Sequence, residues 1–203
     1  AQTLVLHDNI VMGTTLINNR EEFLQLADEY RNELKDNTDY YRFRYKLTNP
    51  DYDYLPQFFT FYKMVPPATM FQETVAAYGT FEIGLPGPDG IYHQIPLVVN
   101  EDYLNQQQQG SMILLPNVYI LGLATYLGLK PGDYLFDLEN KEIKMGDKLT
   151  IPVDSNGYFT LNYYGKRAFT ETSVLDVLHG SREELTAKFK DKLVLIGYTA
   201  QAK

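Results

Sequence analysis

The sequence predicts an α/β domain: a layered helix–sheet–helix body with a mixed central sheet and β-hairpin additions. Three observations carry this. Strand-like apolar runs are followed or preceded by helical patterns at both ends of the chain, turn-flanked short strands lie between them, and neither an internal repeat nor a composition shift divides the 203 residues. One domain spanning 1–203 is therefore expected.

Residues 9–17, NIVMGTTLI, read as a buried strand. Asn19 with Glu22 three positions on forms a capping box, and Phe23, Ala27, Tyr30 and Leu34 then share one helix face. From about 36 to 67 the period dissolves in a tyrosine-rich insertion, with one strand expected around Phe58–Met64. Residues 68–79, ATMFQETVAAYG, return to helical spacing and stop at Gly79. TFEIG and IYHQIPLVV then flank LPGPDG, residues 85–90. Proline presets one torsion there and glycine accepts a positive φ, so an antiparallel pair is expected. Residues 100–111 form a polar, glutamine-rich loop.

Residues 112–129, MILLPNVYILGLATYLGL, reach the lower length for a membrane span, but Pro116, Asn117, Gly122, Thr125 and Gly128 dilute them. A buried helix starting at Pro116, as its first helical position, and ending at Gly128 as a left-handed cap fits better. Asp154–Gly157 is expected to turn a hairpin between KLTIPV and YFTLNYYG. Ser173 opens a brief helix ended by Gly180, and Ser181 with Glu184 forms a second capping box. LVLIG, residues 193–197, closes the pattern as a buried strand.

Composition removes several functions. A net charge of −8 argues against nucleic acid and anionic lipid as partners, because both require a basic surface. Without cysteine there is no disulfide, thiolate nucleophile or cysteine metal site. The chain begins AQTLVLHDN, with no basic leader and apolar core of a signal peptide. Seventeen tyrosines and no tryptophan suit a surface tiled by rings with wet hydroxyls.

No phosphate loop, serine elbow or spaced carboxylate pair appears, so neither catalysis nor a cofactor is expected. Asp51 and Asp53 lack the further ligands of a calcium loop, and His7, His93 and His179 have no metal spacing. His179 suits a helix C-terminus. His93, on a strand, is read first as a solvated residue and second as lining a pocket. Gly197-Tyr198-Thr199 follows the last strand, where ligands of open α/β sheets bind, and its glycine and hydroxyls suit a small polar ligand; a plain strand exit is the competing reading.

Five motifs stand in one order: GPDGIYHQIPLVV, LLPNVYILGLA, IPVDSNGYFTLNYYG, SVLDVLHG and FKDKLVLIGYTA. From about residue 68 onward this order resembles the second type of CHASE domain, the extracytoplasmic sensory module of bacterial cyclases, histidine kinases and serine/threonine kinases. That family usually has arginine ahead of the Ile-Pro-Leu element, where this chain has His93 and Gln94. The resemblance implies a non-catalytic ectodomain joined to membrane helices, a homodimeric receptor, an unknown small-molecule or environmental signal, and a cyclase or kinase output. A different reading, a structural or dimerisation domain without a ligand, draws on the aromatic insertion and Tyr40, Tyr41 and Tyr45.

Overall fold

The computed structural model describes residues 7–36, 44–46, 58–72, 75–102, 114–130, 132–165 and 169–197. The chain divides into two compact units, 1–161 and 162–203.

The first unit is built on β1 (His7–Ile17), which pairs on both edges. β4 (Lys63–Val65) lies antiparallel to it, matching Ile17 with Lys63, and β5 (Val75–Thr80) lies parallel, matching Gly13 with Gly79. Helices cover both faces. Val11 and Ala77 join a core cluster with Ile120, Leu121 and Ala124 of α4 (Val118–Tyr126), whereas Met12 and Tyr78 join a second cluster with Phe23 of α1 (Arg20–Leu24) and Leu34 of α2 (Asp28–Asp36). The expected three-layer α/β arrangement is thus present around β1 and β5.

Mixed pairing is spread over three sheets. The second has β3 (Phe59–Phe61) parallel to β7 (Val98–Glu101), with β8 (Leu114–Pro116) antiparallel beyond it. The third runs β11 (Leu149–Pro152), β10 (Glu142–Met145), β9 (Tyr134–Asp137) and β2 (Arg44–Lys46), the last pair parallel. A two-stranded ribbon joins β6 (Gln94–Pro96) to β12 (Tyr158–Thr160).

Several expectations need correction. The helix expected after Asn19 is two helices, because the Gln25 amide is shared between the Glu21 and Glu22 carbonyls and tightens the turn that ends α1. Residues 68–79 hold only the short α3 (Thr69–Gln72) before the chain extends as β5. Both faces of β5 are covered, so its sequence lacks the alternation that marks a half-exposed strand. The LPGPDG turn forms, with Gly90 N donating to Gly87 O at 2.9 Å and Gly87 N to Ile91 O at 2.7 Å. Its flanks do not pair with each other: β5 goes to β1, and β6 goes to β12.

Pro116 ends β8 rather than starting a helix; Asn117 is the N-cap of α4. At the other end Gly128 takes φ +68°, its amide donates to Thr125 O, and Leu129 N donates to Ala124 O, a Schellman motif. The turn at Asp154–Gly157 closes, yet β11 and β12 belong to different sheets.

In the second unit α5 (Val174–His179) starts at its Ser173 cap and α6 (Arg182–Phe189) at a complete Ser181–Glu184 capping box, both as expected. Residues 193–197 are not a strand. Leu195 and Ile196 are 79% and 97% exposed, and a strand forms only against a partner edge, which the described residues of this unit lack. The tyrosine-rich and glutamine-rich segments fall mostly outside the described residues.

Candidate functional site

Ligands of α/β sheets gather beyond the carboxyl ends of parallel strands. β1 and β5 supply such an end, where Thr14 and Thr80 stand side by side and share a face with Met12 and Tyr78. Thr80 Oγ1 accepts a bond from Glu82 N at 3.0 Å. Among the described residues the buried Thr14 hydroxyl has no hydrogen-bond partner, a costly state for a polar group.

The chain leaving β5 is held rigidly. Glu82 folds back so that Oε1 accepts from Ile83 N and Gly84 N, at 3.1 and 2.9 Å. Across from it, the fully buried Asn117 donates from Nδ2 to Glu82 O at 2.8 Å and to Pro96 O at 2.9 Å, while its Oδ1 caps α4 at Tyr119 N. Asn117 therefore ties the exit of β5, the end of β6 and the start of α4 together. Sequence reading found its helix but not this role; the signal available was an asparagine directly after Pro116.

His93 lies just before β6 and outside the strand itself. Its Nε2 stands 2.8 Å from Asp89 Oδ2, both side chains being half-exposed, and Asp89 Oδ1 accepts from Ile91 N at 3.0 Å. The Ile91 amide, reinforced by His93, holds the Asp89 carboxyl below its ordinary value. The imidazole thus braces the LPGPDG turn. Gly197 belongs to the second unit and is exposed, with open space around it; Tyr198 and Thr199 lie outside the described residues.

Within that unit α5 and α6 enclose an open groove of about 690 Å³ lined by Thr172, Asp176, His179, Gly180, Glu184, Leu185, Ala187 and Lys188. Gly180 is required by proximity, since a Cβ there would sit 2.8 Å from Asp176 O and 3.0 Å from Leu185 Cδ2. Hydrogen bonds from Ser181, backbone first and then side chain, with the Lys188 charge, hold the Glu184 carboxyl below its ordinary value.

A second polar feature escaped the sequence reading. Lys63 and Glu101 form an ion pair at 3.3 Å with both side chains fully buried, and Met64 N donates to Glu101 Oε2 at 3.3 Å. A lone lysine inside the apolar run FFTFYKMV was the available signal. Elsewhere, burial works against the charged form of Asp137, but bonds from Asn140 and Lys144 outweigh it and keep this carboxyl below its usual value. Among the described residues no group of three or more histidine, cysteine or carboxylate side chains is placed to hold a metal.

Layered helices, short parallel pairs and braced loops define an α/β domain whose polar groups are arranged to hold loops in place. The sequence pattern of the CHASE2 domain matches residues 7–203. The chain belongs to the CHASE2 family, the second type of CHASE domain, which is a non-catalytic sensory domain of the extracellular or periplasmic kind found in cyclase and kinase receptors. No match is found among curated proteins or among solved structures. Among the described residues no helix is long and apolar enough to cross a membrane.

Proposed function

We propose that this chain is the single sensory ectodomain of a membrane-anchored, homodimeric receptor whose output is a nucleotide cyclase or a histidine or serine/threonine kinase. The observation that carries the reading is the CHASE2 match over residues 7–203. The signal is a small polar molecule held at the carboxyl end of β1 and β5, where the unpartnered Thr14 hydroxyl offers a hydrogen bond. The residues 197–199 tripeptide and His93 are secondary candidates for contact.

Signalling requires that the ligand bind two states of the domain unequally. A thermal-shift screen of small polar metabolites should find a compound that raises Tm, and Thr14→Val should abolish that rise while the unliganded protein stays folded. A domain that answers to no compound, within a receptor whose output is unchanged when residues 7–203 are deleted, refutes the sensory reading.

A further inference from the structure

β3 and β4 are separated by a single residue, Tyr62, yet they belong to different sheets. β3 runs parallel to β7 with Phe61 opposite Glu101, and β4 runs antiparallel to β1 with Lys63 opposite Ile17. The chain turns a sharp corner at Tyr62, whose amide donates to Ile17 O at 2.9 Å and whose ring meets Phe23 with centroids 5.3 Å apart. The Lys63–Glu101 pair spans this corner from β4 to β7, and Glu101 also receives the Met64 amide.

Stability alone does not account for the pair. Both ions are fully buried, on strands whose Met64 and Val99 are themselves members of a hydrophobic core cluster. Removing two ions from water costs several kcal/mol each, and a well-packed apolar pair of similar volume is often as stable or more so. What an apolar pair would lack is positional information. The segment FYKMV would then be apolar throughout, and a one-residue slip of β4 along β1 would exchange one buried apolar side chain for another. With the charges present, the same slip sets Met64 against the Glu101 carboxylate and turns the Lys63 ammonium away from it.

We propose that Lys63 and Glu101 fix the register of β4 on β1, and with it the corner at Tyr62, and that they do so at no gain in stability. The proposal stands apart from the sensory reading. It is tested in the whole 203-residue chain by comparing Glu101→Leu with the double variant Lys63→Met/Glu101→Leu. The single variant takes the carboxylate away from a fully buried ammonium, and its Tm should fall by roughly 10 °C. The double variant should recover most of the Tm but show more than one set of amide signals for residues 15–17 and 62–65 in a ¹H–¹⁵N spectrum, with faster amide exchange there. A double variant with one native set of signals and native exchange overturns the proposal. So does one that fails to fold, since the pair would then supply stability.

Discussion

Asn117 shows at the scale of one residue how a buried polar group is made affordable: each of its polar atoms has a partner, and each partner lies on a different stretch of chain. Asn117→Ala would leave the Glu82 and Pro96 carbonyls short of a donor and α4 without its cap. The expected loss is about 2–4 kcal/mol, read by urea denaturation. Asp89 tests electrostatics at the same scale. Its folded pKa is depressed below the ordinary 3.8, so its contribution is present above that value and lost as pH falls through the lower folded midpoint. Because the Ile91 amide is the largest single cause, with the His93 hydrogen bond and charge behind it, His93→Ala should return the Asp89 midpoint, followed by NMR, only part of the way to the ordinary value. A complete return would assign the shift to the imidazole instead.

Elements differ in how much of them local sequence reveals. The caps at Ser173 and Ser181 and the left-handed Gly128 were readable because their causes lie within four residues. β5 was misread as helix because Met70, Phe71, Val75 and Tyr78 happen to follow helical spacing, while the feature that makes residues 75–80 extended is β1, far away in sequence. The LPGPDG and Asp154–Gly157 turns were legible and their strand partners were not, for the same reason: a turn is local and a pairing is not. Of the candidate site, His93 was seen and the Thr14–Thr80 end was missed, since its placement depends on that unseen pairing. The β1–β5 contact also makes a prediction. A Cβ on Gly79 would stand 2.7 Å from Leu121 Cδ1 and 3.2 Å from Pro116 O, so Gly79→Ala should cost about 1–3 kcal/mol by pushing α4 from the sheet. An unchanged denaturation midpoint would show that α4 yields freely.

At the scale of the whole molecule, every described member of both core clusters, from Val11 to Phe159, falls within the first unit. Residues 1–161 expressed alone should accordingly give a cooperative thermal transition and a dispersed amide spectrum. A molten fragment without near-ultraviolet circular dichroism would show that the remaining residues are needed to complete the core.

β1 has a further consequence, which belongs to synthesis. Its two edges wait for Lys63–Val65 and Val75–Thr80, so synthesis must run well past β1 before this ribbon can close on either side. Until then an apolar stretch stays uncovered, and such delayed, long-range pairing makes assembly slow and invites aggregation. Chaperones would therefore be needed most between the synthesis of β1 and that of β5, while β1 is still uncovered.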